Sequence, residues 1–135
     1  MEHGENSMMV QTNRLYEQKC EELLQDKQIR FVGVINKLGN LIAGGFGKEV
    51  TPFETDEKNR MMYLQMVLEV SMRRDFDETL GEIDYIASSR KNVLMISIPI
   101  GKELLLISAS PFSVTKEIVS KAVKVFKNSK GDKDV

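Results

Sequence analysis

Histidine, cysteine and tryptophan are almost missing from this chain: its 135 residues include one His, one Cys and no Trp. A lone cysteine excludes an internal disulfide, and a lone histidine excludes a His-rich metal site. A surplus of either charge is missing as well. The 19 Lys and Arg are balanced by 20 Asp and Glu, which argues against indiscriminate nucleic-acid binding, where many cations must face phosphate. Long apolar runs are also lacking. Val93–Ile100 and Leu104–Ile107 are strand-sized and far short of the roughly 18 residues that a membrane span needs. Met1–Thr12 has no basic segment ahead of Met8-Met9-Val10, so it is not read as a secretory signal. These exclusions leave the expectation of a soluble, cytoplasmic, single-domain protein without metal or cofactor.

The ends are read as solvated tails, residues 1–12 and 128–135, flanking a domain over residues 13–127. His3 falls in the first tail with no ligand set around it. Thr12 or Asn13 can cap a helix running to about Lys27, whose stripe carries Leu15, Tyr16, Cys20, Leu23 and Leu24. Cys20 has no base within reach of the pattern and reads as a small buried hydrophobe. Ile29–Ile35 and a strand from Leu41 flank Asn36-Lys37-Leu38-Gly39-Asn40, a hairpin turn by its Asn and Gly content.

The second strand ends in Gly44-Gly45-Phe46-Gly47-Lys48, the most motif-like stretch of the chain. A phosphate loop needs Gly four residues before Gly-Lys-Ser/Thr, and here Ile42 and Glu49 stand in the required places. The dinucleotide pattern fails at Val50. Glycines at a strand end mark instead a bulge or a close backbone approach.

After a loop containing Pro52, Thr55 is an N-cap followed by Asp56 and Glu57, and a helix is expected from Asp56 to about Glu78, with Gly81 as its terminator. Its apolar residues form two stripes. Met61, Leu64, Leu68 and Met72 fall within about 80° of arc, and Tyr63, Met66, Val67 and Val70 within about 100° on the opposite side. A surface helix has one such stripe, so the second must be covered by other parts of the chain or by a partner subunit. The stripe with both leucines looks more like core, which leaves Tyr63, Met66, Val67 and Val70 to face a partner. Val70→Asp or Met66→Asp is then expected to separate subunits without unfolding them.

Three strands follow. Glu82–Ser88 partly alternates, with Ile83, Tyr85 and Ala87 on one face, and suits a sheet edge; Val93–Ile100 and Glu103–Ala109 are nearly continuously apolar and need cover on both faces. The short joins at Ser89–Asn92 and Gly101-Lys102 fit antiparallel hairpins. Ser113 can cap a last helix with Val114, Ile118, Ala122, Val125 and Phe126 on its stripe, opposite a lysine-rich face. The order is α-β-β-α-β-β-β-α, an α+β single domain: a five-stranded antiparallel sheet with two helices on one face and one on the other, an α/β/α sandwich.

This order resembles the roadblock domain, named for a dynein light chain, within the profilin-like and longin-like set. Gly33-Val34-Ile35-Asn36, Gly39 and Leu41-Ile42-Ala43-Gly44-Gly45, with the later Ser71–Asp77, are also similar to small archaeal proteins of that kind. The resemblance implies a homodimer in which the edge strand and the central helix meet their counterparts, adding Ile83 and Tyr85 to the interface. It implies a non-catalytic interaction or regulatory module, a scaffold or regulator for a small GTPase, with no active-site residues to carry over. The alternative is a small-molecule sensor with its mouth at Gly44, Gly45, Gly47 and Lys48–Thr55. Catalysis is not expected: the acids Asp75, Asp77, Glu78 and Asp84 lie near a helix end and an edge strand, where solvated carboxylates are common.

Overall fold

The strand Ile29–Ile35 sends Val32 and Val34 to one side and Phe31 and Ile35 to the other, and this alternation divides the interior into two cores. In chain order the elements are α1 (Glu2–Leu23), β1 (Ile29–Ile35), β2 (Leu41–Phe46), α2 (Asp56–Arg73), a 3-10 turn (Arg74–Phe76), α3 (Asp77–Leu80), β3 (Ile86–Ser89), β4 (Leu94–Ile100), β5 (Glu103–Ala109) and α4 (Thr115–Lys127). The computed structural model describes residues 2–127, with side chains from residue 10 onward. The expected C-terminal tail, residues 128–135, and the side chain of His3 lie outside the described residues.

The five strands form one antiparallel sheet in the order β2-β1-β5-β4-β3. The more apolar strands sit inside and the two shortest take the edges. Asn36 fixes the β1–β2 turn, its side-chain oxygen accepting from the amides of Leu38 and Asn40 at 3.0 Å each.

On one face α1 and α4 cover Val32, Val34, Ile96, Ile98, Leu105 and Ile107. The two helices are tied by Lys19, a buried lysine whose ammonium donates to the carbonyl of Phe126 at 2.9 Å and lies 5.5 Å from the centre of that ring. A cation on the last carbonyls of a helix satisfies groups that have no partner within it. On the other face α2 alone covers Phe31, Ile35, Leu104 and Leu106.

Several boundaries differ from the sequence expectation. Helical backbone in α1 continues ahead of Thr12 to Glu2, since extending a formed helix costs far less than nucleating one. The helix stops at Leu23 rather than Lys27, where Asp26 accepts from the Gln28 amide at 2.9 Å and turns the chain into β1. Leu15 and Val114, both assigned to buried stripes, are exposed. Ser113 does not cap α4: the helix begins at Thr115, and among the described residues the buried Ser113 hydroxyl has no partner.

The largest difference is β3, which spans Ile86–Ser89 and not Glu82–Ser88. Its pairing with β4 ends at Ile86 opposite Ser97, while β4 pairs with β5 as far as Ile100. Pro99 has no N–H to offer across the ladder, so β3 has nothing to pair with upstream.

Candidate interaction surface

Thr55 starts α2 as expected, its hydroxyl accepting from the Lys58 amide at 3.2 Å with Asp56 and Glu57 in the first turn. The helix ends earlier than Glu78. Phe76, at φ −105° and ψ 9°, interrupts it, and the short α3 then closes on Gly81 at φ +86°.

Both stripes of α2 exist, but their burial is the reverse of the expectation. Tyr63 and Val70, assigned to a partner, are 6% and 4% exposed and packed in the protomer's own second core. Met66 and Val67 are half-buried against the same cluster. Met61, Leu64, Leu68 and Met72, assigned to the core, are exposed, Leu68 by 51% and Met72 by 70%. The reason is aromatic fit. Tyr63 stacks on Phe31 with ring centres 5.7 Å apart and planes 20° apart, and Phe31 meets Phe46 at 4.8 Å. Burial, with a smaller contribution from Asp56, raises the Tyr63 phenol above its ordinary pKa. Met66 adds a contact to the sheet, its sulfur accepting from the buried Ser97 hydroxyl at 3.7 Å.

Ile83 and Tyr85, expected together on one strand face, lie in the non-strand segment before β3 and pack on opposite cores, Ile83 with the α2 cluster and Tyr85 with the other. Without a ladder the chain is not held to a two-residue period. Ile86 joins Met66 and Ile83 in the α2 cluster, so the β3 edge and α2 lie side by side.

The two sheet edges differ in availability. At β2, Gly44 adopts φ +88°, and its amide donates to the Glu17 carboxylate of α1 at 2.7 Å. A side chain at Gly44 would collide with the Val32 carbonyl and approach the Cys20 sulfur within 2.9 Å. Thus the glycines that resembled a phosphate loop form a kinked edge strand fitted against α1. In contrast, β3 (Ile-Ala-Ser-Ser), although only four residues long, carries no charge and no proline to block pairing along its edge.

Other sequence candidates are placed as follows. Cys20 is fully buried, as expected, and burial together with Glu17 and Glu21 pushes its thiol up to about 12. Asp75, Glu78 and Asp84 are exposed, and Asp77 is half-buried at the start of α3. Among the described residues no group of three or more His, Cys, Asp or Glu is placed to hold a metal ion, and no helix is long and apolar enough to cross a membrane. Arg30 straps the loop after β2, donating to the Thr51 carbonyl at 3.0 Å and lying 4.2 Å from the Phe53 ring centre. A cavity of about 330 Å3 opens at the far end of the sheet from Gly44–Gly47, between α2 and the ends of β1 and β5.

A family described as one of unknown function, DUF6659, matches residues 8–132. The chain belongs to DUF6659. No curated protein matches its sequence. Solved structures similar to this DUF6659 chain include a roadblock domain and gliding proteins. The Roadblock/LC7 domain from Streptomyces avermitilis superposes with a TM-score of 0.66 at 10% identity, over 88% of this chain and 98% of that one. The gliding protein MglB from Thermus thermophilus gives 0.64 at 12%, over 87% and 92%. MglB of Myxococcus xanthus gives 0.60 at 13%, over 85% and 90%, and an MglB is also known in a tetrameric arrangement. At such identities the likeness establishes the fold: this DUF6659 chain has the roadblock architecture that the order of its elements suggested.

Proposed function

We propose that this DUF6659 chain is a non-catalytic, homodimeric interaction module that regulates or scaffolds another protein, with a small GTPase as the partner class that the roadblock fold suggests. One observation carries the association: an edge strand, β3, free of charge and proline, beside a helix whose outward stripe of Met61, Leu64, Leu68 and Met72 is exposed. Two copies joined edge to edge at β3 continue one sheet across the pair and bring the two α2 helices onto the same face. Unbranched Met and Leu side chains suit a contact that must adapt. Support for association also comes from the tetrameric MglB arrangement among the fold neighbours.

Light scattering behind a sizing column tests the association. A dimer mass at micromolar concentration is expected, and a monomer under those conditions overturns it. Identification of the protein that co-purifies with the tagged chain tests the partner class, and a nucleotide-binding switch protein is the expected result.

A further inference from the structure

The cavity at the end of the sheet joins an apolar floor to a charged rim. Its floor is apolar, made by Ile35, Val70 and Leu104, all buried. Its rim is cationic. Lys37 follows β1, Lys102 stands in the β4–β5 turn, and Arg74 follows the last residue of α2. Among the described residues none of these three takes part in a salt bridge. Glu103 is the one carboxylate residue in the lining, and its side chain is turned away: its Oε1 accepts from the Tyr16 hydroxyl of α1, beneath the opposite face, at 3.3 Å. Burial, and after it the Glu103 carboxylate, raise the Tyr16 phenol above its ordinary pKa.

The turn holds this arrangement in place. Gly101 has φ +63° and Lys102 an ordinary φ, the pattern of a two-residue type II′ hairpin, so Lys102 stands at a fixed point of a tight turn. Arg74 likewise lies on ordered backbone, its amide donating to the carbonyls of Met72 and Ser71.

We propose that this cleft binds a small organic anion with a compact apolar body, an oxyanion head meeting Lys37, Arg74 and Lys102 while the body covers Ile35, Val70 and Leu104. Like charges on three sides of a half-enclosed space repel one another, and an anion between them relieves that repulsion. The volume is near the lower end of the range for small-molecule sites, roughly 300–1,000 Å3, and therefore limits the body to a short chain or one ring. The cleft shares Leu68 with the outward stripe of α2, but its cationic rim of Lys37, Arg74 and Lys102 lies off that stripe and away from β3, so the rim variants separate anion binding from dimer formation.

The test uses the full chain and three probes of equal chain length: octanoate, octyl phosphate and octylammonium. Each is titrated by nuclear magnetic resonance, following the backbone amides of Ser71, Arg74, Gly101 and Lys102. Octanoate or octyl phosphate is expected to shift these amides saturably, and the difference between them shows which oxyanion is preferred. Octylammonium is expected to leave them unmoved. Arg74→Glu and Lys102→Glu, at exposed positions, are each expected to weaken anion binding by about tenfold with the melting curve unchanged. Absence of saturable shifts with both anions, equal binding of octylammonium, or undiminished affinity in both variants overturns the proposal. Sedimentation of the same samples reports the dimer separately, so failure of one proposal is not failure of the other.

Discussion

The carboxylate of Glu17 accepts the amide of Gly44 at 2.7 Å, joining a helix surface to an edge strand 27 positions further along the chain. Glu17→Ala leaves that amide without its charged partner. A loss of about 1–2 kcal/mol is expected, with a new tendency to associate through β2. Urea titration and concentration-dependent light scattering measure the two effects. Gly44→Ala is expected to cost more, about 2–4 kcal/mol, because a side chain there meets the Val32 carbonyl and strains a positive φ. A stable Gly44→Ala protein would contradict the close packing of β2 on α1.

Placement of Val70 changes what a charge there should do. With 4% exposure in the α2 core, Val70→Asp is expected to destabilise the protomer by at least about 3 kcal/mol, not to release an intact monomer. Leu68→Asp, on the exposed stripe, is expected to leave the melting temperature nearly unchanged and to convert dimer to monomer. Ala87→Pro on β3 is expected to do the same by removing an edge amide. Calorimetry together with sizing separates loss of fold from loss of association.

Cys20 is expected to resist thiol reagents in the native protein and to react fully in urea. Its thiol titrates at about 12 when folded and at an ordinary 9.0 when free of the fold. The raised value means that the unfolded chain loses this proton first. Stability linked to Cys20 is therefore intact below pH 9 and declines as pH rises from about 9 towards 12. Cys20→Ala should flatten that part of the alkaline stability curve.

Asp26 works in the opposite direction. Its pKa is lowered mainly by the hydrogen bond from Lys121 at 2.8 Å, with help from the Gln28 amide, and burial opposes the shift slightly. A depressed carboxylate stabilises the fold above its unfolded value, near 3.9, and that stability disappears as pH falls through the lower folded value. The Lys121 side chain is half exposed and solvent screens the pair, so Asp26→Asn should cost about 1 kcal/mol at neutral pH. A larger loss would show that the turn into β1 depends on Asp26 more than its contacts imply.

Lys19 links the first and last helices from a buried position. Lys19→Met keeps the aliphatic bulk but leaves the Phe126 carbonyl without its donor, and a loss of about 1–3 kcal/mol is expected by urea titration. An unchanged midpoint would mean that the ammonium gains nothing over methionine there.

The architecture was legible because its signals are local. Asn36 and Gly39 mark one turn, Gly101 another, and the unbroken apolar runs of β4 and β5 announce a sheet covered on both faces. The division of α2 was not legible from periodicity. Spacing locates two apolar stripes at opposite phases, but both are apolar enough to be buried. What decides between them is Phe31, a residue far away in sequence whose ring needs Tyr63. The stripe contents held a clue, since the buried one has the aromatic and both valines, and the exposed one has only Met and Leu. The shortened β3 was missed for a similar reason: alternation at Ile83 and Tyr85 described the segment itself, while Pro99 on the neighbouring strand decided where pairing could begin. The cleft rim joins three segments distant in sequence, so no single stretch of the chain displays it.

The uneven division of the helices has a dynamic consequence. One face of the sheet is closed by two helices fastened through Lys19, while the other depends on α2, whose fully buried residues are Asn59, Tyr63 and Val70. Amide protons should reflect this gradient, with those of α2 exchanging through local opening while β1, β4 and β5 wait for global unfolding. A partner that grips the outer stripe would then slow exchange throughout α2 and so report its own binding from the least protected helix of the core.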